Sequence, residues 1–212
     1  MAKSIEGAVY NPSQKWRPIE EGTYPAHIKS LGTKEVQTKA GEAIVVNMTY
    51  RVADEVSKET QPVWKMDGYK YVKDTAGNRV PVTNGSGVQE VAPCDHLKGR
   101  EFKDGGFFIF TESSSSSKNR RYFELLDKLG VKCEETNVDG DKVKKLVLIE
   151  EEDVVGKPVL ITIKRNEFIT SETKHLPHDQ QERRSFLRVS TIDDWEEGVV
   201  LETEELDSDV PF

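Results

Sequence analysis

Apolar and polar residues alternate along residues 23–53, and this period of two constrains the fold more than any other feature of the sequence. Side chains that alternate in this way lie on opposite faces of a β-strand, so that one face is buried and the other is exposed. We predict two strands, residues 23–38 and 43–53, joined by the turn residues 39–42. Gly32 lies within the first strand, where a glycine is typical of a bulge or a sharp bend. The predicted inward-facing residues of the second strand are Ile44, Val46, Met48, Tyr50 and Val52, and the predicted outward-facing ones are Val45, Asn47, Thr49 and Arg51.

Three more strands are predicted after a long polar insertion at about residues 54–100. They lie at residues 106–111, 159–168 and 184–192. A helix is predicted at residues 118–129, between the third strand and the fourth. This order is typical of the OB arrangement, a fold that often binds oligonucleotides. We therefore expect a mainly β fold: a five-stranded OB-like Greek-key barrel with one helix between strands 3 and 4 and a long inserted hairpin region.

The helix is predicted from apolar residues that recur at i, i+3, i+4 and i+7, which places them on one helical face. Ser117 is placed to cap the first turn, and Gly130 is placed to end the helix in the left-handed conformation. Beyond it, Asp139-Gly140 is a hairpin turn signal. The residues of the predicted apolar face are Tyr122, Leu125, Leu126 and Leu129.

Charge is distributed unevenly along the chain, although its formal net charge of −8 at first argues against a nucleic-acid partner. Nine of the 38 Asp and Glu residues lie at or beyond Asp193, whereas all 30 Lys and Arg residues lie at or before Arg188. The rest of the chain is therefore close to neutral. Because so dense a run of acids cannot join a core, we predict a flexible acidic tail at residues 196–212. It follows an N-terminal extension at residues 1–21 and an OB-like domain at residues 22–195.

Four segments of the predicted strands form recognisable motifs: Gly22-Thr23-Tyr24-Pro25-Ala26, the turn Lys39-Ala40-Gly41, the aliphatic second strand and Gly156-Lys157-Pro158-Val159-Leu160-Ile161. These motifs resemble those of phage-encoded single-stranded-DNA-binding proteins. The resemblance covers roughly residues 22–53 and 155–192. It implies an OB fold that binds single-stranded DNA during phage replication or recombination.

The chain ends in acidic residues followed by Val, Pro and Phe: Asp207, Asp209, Val210, Pro211 and Phe212. These residues resemble the acidic tip of bacterial single-stranded-DNA-binding proteins, which ends in several Asp residues, a hydrophobic residue, Pro and Phe. Ser208 interrupts the acidic run, and the strand sequences differ from those of the bacterial protein, so its homotetramer is not implied. The resemblance implies that the tail recruits replication or recombination proteins, with a terminal ring and α-carboxylate entering a partner pocket. The alternative is a solubilising terminus.

Sequence-independent binding of a single strand requires cations that follow the phosphates and exposed rings that stack on bases. The insertion interleaves both kinds of residue, although Tyr69 and Tyr71 are equally well explained as core residues. In an extended strand, Tyr69, Tyr71 and Lys73 would share one face. Of Phe107 and Phe108, which are adjacent in one strand, only one can point inward. The candidate DNA-binding residues are Arg51, Trp64, Lys65, Tyr69, Lys70, Tyr71, Lys73, Arg79, Phe107, Lys164, Phe186 and Arg188. A solvated face is the alternative for each of the charged ones.

Other classes of protein are less well supported. The sequence contains no phosphate-binding GxxxxGK[ST] loop, no HExxH and no GxSxG motif, so we do not expect an enzyme. The acids of Glu150–Asp153 fit a solvated turn better than a nuclease site. Cys94 and Cys133 are too few for a disulfide scaffold, and with scattered histidines they do not predict a metal or cofactor site.

No apolar segment approaches the roughly 20 residues that span a bilayer, and the N-terminus lacks the pattern of a signal peptide. We therefore expect a cytoplasmic protein, in the host cytoplasm if it is phage-encoded, that is a monomer or a small homo-oligomer. The favoured hypothesis is sequence-independent binding of single-stranded DNA. The alternatives are an OB-like protein-interaction module without DNA binding and an accessory nuclease or nuclease inhibitor.

Overall fold

The computed structural model describes residues 17–111, 117–138 and 141–199, which form a mainly β structure. Their contacts divide into two compact units. The first contains residues 17–20 with Thr60–Ala92, and the second contains the other described residues. The strands are β1 (Gly22–Thr38), β2 (Gly41–Val52), β3 (Thr60–Pro62), β4 (Met66–Asp67), β5 (Lys70–Tyr71), β6 (Val91–Pro93), β7 (Glu101–Lys103), β8 (Phe107–Phe110), β9 (Glu135–Val138), β10 (Asp141–Lys144), β11 (Pro158–Ile169) and β12 (Arg183–Asp194); the α-helices are α1 (Arg120–Lys128) and α2 (Glu151–Val154).

The second unit is built on one antiparallel sheet of six strands in the order β12-β11-β1-β2-β7, with β8 also paired to β2. Asp104, next to β7, adds an isolated parallel bridge to Val189 of β12. The predicted third strand at residues 106–111 corresponds to β8, whereas β7 was not predicted. The chain turns at Asp104–Gly106, between β7 and β8, and both strands pair with β2 at different positions.

The predicted alternation along β2 is confirmed on its inner side. Val46, Met48, Tyr50 and Val52 are each no more than 2% exposed, whereas Ile44 is only half-buried. Among the residues expected to face outward, Val45 is buried as well, because it pairs with β8. The inner face of β2 therefore packs in the core, as the period of two requires.

The irregularity in β1 is not at Gly32. The β1–β2 register shifts between Ile28 and Ser30, whereas Gly32 is paired in regular register with Asn47. A methyl group at Gly32 would have no heavy atom within 4 Å. The glycine therefore marks open space on the strand rather than a bulge or bend.

The predicted helical face is confirmed, since Tyr122, Leu125 and Leu126 of α1 are buried and Leu129 follows the helix in the core. Gly130 ends the helix with φ +66, as expected. The start differs, because the helix begins at Arg120 and its N-cap residue is Asn119.

The Asn119 side chain does not cap the helix. Its Oδ1 accepts a hydrogen bond from Phe110 N and its Nδ2 donates one to Phe110 O, both at 2.8 Å. The amide thus pairs with β8 as a neighbouring strand residue would, and holds the start of α1 against the strand.

The first unit contains two turns of the same design. Asp74 Oδ1 accepts hydrogen bonds from the backbone N–H groups of Ala76 and Asn78, and Asn84 Oδ1 accepts them from Ser86 and Val88. The fourth residue of each turn is a glycine with positive φ. The hydrogen bonds from Asn78 and Ala76 lower the pKa of Asp74 below its ordinary value.

Across the described ranges, no helix combines the length and apolar character that crossing a bilayer requires.

Candidate nucleic-acid interface

The β11–β12 hairpin carries an exposed face that combines cations with aromatic rings. Beyond the core residues Ile163 and Val189, β11 and β12 continue as a paired arm. Opposite residues share one side of a strand pair, and so do residues two apart, so six side chains lie on one side of the arm. We call these six residues the arm face: Lys164 opposite Arg188, Asn166 opposite Phe186, and Phe168 opposite Arg184.

The two rings of the arm face contact each other and remain accessible. Phe168 is 47% exposed and Phe186 is 46% exposed. Their ring centroids lie 5.8 Å apart with the rings inclined by 66°, an edge-to-face arrangement. Such a pair holds both rings in place while leaving part of each available to a stacking partner.

The cations of the arm face have different surroundings. Arg184 Nε donates to Glu182 Oε1 at 3.0 Å, whereas Lys164 is exposed and makes no ion pair among the described residues. With the amide oxygen of Asn166 turned toward it, Arg188 Nη2 donates to that oxygen at 2.8 Å. None of the six residues is a carboxylate, so the face is a net positive surface on a chain that is negative overall.

Arg188 is supported from below by the turn after β7. A methyl group at Gly105 would lie 2.6 Å from Arg188 Nη1, so the guanidinium rests directly on the glycine. Asp104 shapes the turn: its Oδ1 accepts from Gly106 N at 2.9 Å, and its Oδ2 accepts from Tyr50 Oη at 2.9 Å and from Met48 N at 3.3 Å. The position of Arg188 thus depends on a partly buried carboxylate.

Burial raises the pKa of Asp104 above its ordinary value of 3.8, although hydrogen bonds from Gly106, Tyr50 and Met48 and the charge of Arg188 act in the opposite direction. Burial, together with the charge and hydrogen bond of Asp104, raises the pKa of the Tyr50 hydroxyl. Tyr50 therefore stays protonated and donates to the carboxylate.

We expect the free energy of unfolding of the wild type to fall, relative to that of an Asp104→Asn variant, as the pH rises above 3.8. Because the folded-state pKa is raised, the folded protein holds the proton more tightly than the unfolded chain. The stabilising contribution of Asp104 is complete below the unfolded pKa and is lost as the pH rises through the folded one. Urea unfolding of both proteins at several pH values measures this. If the difference in unfolding free energy between the wild type and the variant did not change with pH, the raised pKa of Asp104 would be contradicted.

The sequence-predicted residues of this unit are only partly brought together. Lys164, Phe186 and Arg188 meet on the arm face, as the proposed outward face required. Arg51 is half-buried and pairs with Glu101 of β7. Val45, which pairs with Phe108, lies six residues from Arg51 along β2, a distance of roughly 20 Å. Arg51 therefore does not lie beside Phe108.

Of the two adjacent phenylalanines, the more exposed ring is Phe108 rather than the predicted Phe107. Phe108 is 42% exposed, whereas Phe107 is half-buried and shares its side of β8 with the fully buried Ile109. Phe168 and Arg184 were not among the predicted DNA-binding residues. Phe168 continues the period of two after Lys164, and Arg184 precedes Phe186 by two residues, so the strand patterns themselves indicate both.

In the first unit, three predicted residues have a structural role. The Arg79 guanidinium lies 5.7 Å from the ring centroid of Trp64 and 4.0 Å from that of Tyr71. Glu20 accepts from Arg79 Nη1 at 2.6 Å and from Tyr71 Oη at 2.5 Å. This cluster neutralises the cation and occupies the rings, and so favours the core interpretation for Tyr71.

The remaining predicted residues of that unit are exposed, but Tyr69 does not share a strand face with Tyr71 and Lys73 as expected. Tyr69, which is 79% exposed, lies in the turn between β4 and β5. Because Asp67 pairs with Lys70, Tyr69 is not in the strand with Tyr71 and Lys73, contrary to the expected arrangement. Lys65, Lys70 and Lys73 are all exposed.

The described part of the predicted tail, residues 196–199, is hydrogen-bonded to its surroundings. Gly198 N donates to Trp195 O at 3.1 Å, and the buried His27 donates from Nε2 to Val199 O at 2.7 Å. The partner-binding residues predicted in the tail lie outside the described residues, as do residues 1–16 of the predicted N-terminal extension and Asp139-Gly140.

Within the described ranges, no three His, Cys, Asp or Glu side chains are grouped so that they could hold a metal ion. The acids at Glu150–Asp153 form the start of α2, where Glu150 and Asp153 make a capping box. Comparisons of the chain with models of protein families, with curated proteins and with solved structures found no match.

Proposed function

We propose that this chain binds single-stranded DNA without reading its base sequence, and that it acts without catalysis. The observation that carries the proposal is the arm face, where three cations and two accessible rings share one side of a hairpin. Phosphates are attracted by the cations, and bases that are not covered by a duplex stack on the rings. The phage context, in replication or recombination, rests on the resemblance of the strand motifs.

We further propose that the sheet closes as a partly open OB-like barrel. The strand order β12-β11-β1-β2-β7 and the parallel bridge between Asp104 and Val189 support this, because the bridge joins the two ends of that order. In such a barrel, the arm face would continue the outer surface on which OB folds bind oligonucleotides.

The acidic tip forms the second part of the proposal. Asp207, Asp209, Val210, Pro211 and Phe212 combine negative charge with a terminal ring and an α-carboxylate, which suits a partner pocket rimmed by Lys or Arg. We assign these residues to the recruitment of replication or recombination proteins. A negatively charged tail also competes with DNA for the cationic face.

Fluorescence anisotropy with labelled oligo(dT) tests the function. We expect binding that weakens steeply with salt, because each neutralised phosphate of a single strand adds about −0.7 to the slope of log K against log salt. Lys164 and Arg188, the two arm cations that make no ion pair among the described residues, alone predict a slope of about −1.4. A duplex of the same length is expected to bind more weakly, since its base faces are covered. A chain lacking residues 207–212 is expected to bind oligo(dT) equally well or more tightly.

Oligo(dT) that fails to bind, or that binds with an affinity unchanged between about 50 and 200 mM salt, would exclude this function. The protein-interaction alternative would then explain the fold better, and the arm face would be a surface for an acidic protein.

A further inference from the structure

We propose that a second site for the same DNA strand lies in a groove between the β1–β2 turn, β8 and the start of α1, where unpaired bases stack on Phe108 and Phe110. The inference rests on the proposed function and extends it to a separate group of residues. We call this site the β8 groove. Its volume is about 410 Å³, within the range of sites that bind small molecules such as a nucleotide unit.

The rings of the β8 groove are stacked and supported from below. Phe108 and Phe110 lie on the same side of β8, with ring centroids 6.5 Å apart and planes inclined by 20°. They pair with Val45 and Ala43 of β2, which are both buried. Since Phe108 is 42% exposed, the side of the pair that faces solvent offers a flat apolar surface of the kind on which bases stack.

Three cations line the β8 groove. Lys118 Nζ lies 5.2 Å from the ring centroid of Phe110 and donates to Ala40 O at 3.0 Å. Lys39 and Arg121 are exposed and line the same groove. None of the three makes an ion pair among the residues that the structure describes, so their charge is not neutralised locally. The combination of rings and cations is complementary to a base-phosphate chain, not to an acidic peptide alone.

The position of the groove is held by backbone contacts. Asn119 binds both polar groups of the Phe110 backbone, and so places Lys118 and Arg121 beside the rings. Gly106 lines the groove, and its neighbour Gly105 supports Arg188 of the arm face. The two surfaces are therefore adjacent across a two-residue turn, and one strand of DNA can follow both.

Photo-cross-linking of the full-length chain tests the inference. An oligo(dT) with 5-iododeoxyuridine at one position, moved along the probe, is irradiated with the protein and the cross-linked peptides are identified by mass spectrometry. We expect adducts at Phe108 or Phe110 for some probe positions and at Phe168 or Phe186 for others. Binding with adducts on the arm face alone would overturn the β8 groove and leave the proposed function intact, whereas absence of binding would overturn the function itself.

Substitutions provide a second measurement. Phe108→Ala is expected to weaken oligo(dT) binding roughly 5- to 150-fold, the effect of losing one stacked base. Leu148→Ala, which removes an apolar side chain that is also 42% exposed, is the matched control and should leave the affinity unchanged. An equal affinity of the Phe108→Ala and Leu148→Ala variants would overturn the proposal.

Arg121→Ala tests the β8 groove without changing a residue of β8. For this variant, the slope of log K for oligo(dT) against log salt is expected to be about 0.7 less steep than for the wild type, because one phosphate contact is lost. Arg120→Ala is the control on the same helix, since Arg120 is ion-paired to Glu124 and does not line the groove. Identical slopes for the Arg121→Ala and Arg120→Ala proteins would contradict the assignment.

Discussion

A chain with both Phe168→Ala and Phe186→Ala is expected to lose affinity for oligo(dT) by at least about 1–3 kcal/mol, roughly 5- to 150-fold, because the rings that stack on bases are removed. Both rings are nearly half exposed and neither forms part of the buried core. The loss should therefore appear in DNA binding and not in the urea midpoint of unfolding. Anisotropy titration with oligo(dT) at fixed salt measures the first quantity, and tryptophan fluorescence in urea measures the second.

Phe168→Leu with Phe186→Leu is the matched control for this variant. Leucine keeps an apolar contact across the hairpin but offers no ring, so this protein is expected to be as stable as the wild type and nearly as weak a binder as the alanine variant. Undiminished affinity in the alanine variant would show that the arm face does not contact bases.

Gly106→Ala is expected to destabilise the fold by roughly 2–5 kcal/mol, the largest stability effect that we predict. Gly106 has φ +80, a conformation that costs an L-residue about 1–2 kcal/mol. A methyl group there would also lie 2.6 Å from Val45 Cγ1 and 2.7 Å from Asn47 Oδ1, and overpacking of this kind costs typically about 1–3 kcal/mol. Urea unfolding followed by circular dichroism measures the change.

Gly32→Ala is the control for this prediction. It lies in the sheet without positive φ, and its added methyl group meets no heavy atom within 4 Å. A change from glycine to alanine in such a place is neutral or slightly stabilising, by up to about 1 kcal/mol, since it restricts the unfolded chain. If both variants unfolded at the wild-type urea concentration, Gly106 would not be tightly packed in solution.

The long strands and the helix are predictable from the sequence because their signals are local. Val46, Met48 and Tyr50 alternate with exposed residues within a few positions, and Leu125 and Leu126 mark the helical face in the same way. The boundaries were less accurate. The start of α1 depends on Asn119, whose side-chain amide binds the Phe110 backbone rather than the helix. The residues next to Asn119 in the chain do not predict this hydrogen bonding.

Long-range pairing explains why several candidate site residues have surroundings other than those expected from the sequence. The sequence predicts a strand that contains both Tyr69 and Tyr71, but the pairing of Asp67 with Lys70 makes Tyr69 a turn residue. Arg79 is a residue type that commonly contacts phosphate, but the Glu20 carboxylate lies 2.6 Å from its guanidinium. Glu20 and Arg79 are 59 residues apart in the chain, so no pattern within a strand could reveal this ion pair.

The amino-acid sequence by itself determined the strand faces, the amphipathic helix and the acidic run after Asp193, because alternation, helical periodicity and charge density are properties of neighbouring residues. Only the tertiary structure decided that Phe186 meets Phe168, that Phe108 rather than Phe107 is the exposed ring, and that Arg188 rests on Gly105. Those contacts depend on the register between strands that are distant in the chain, and register is set by turns and by long-range packing.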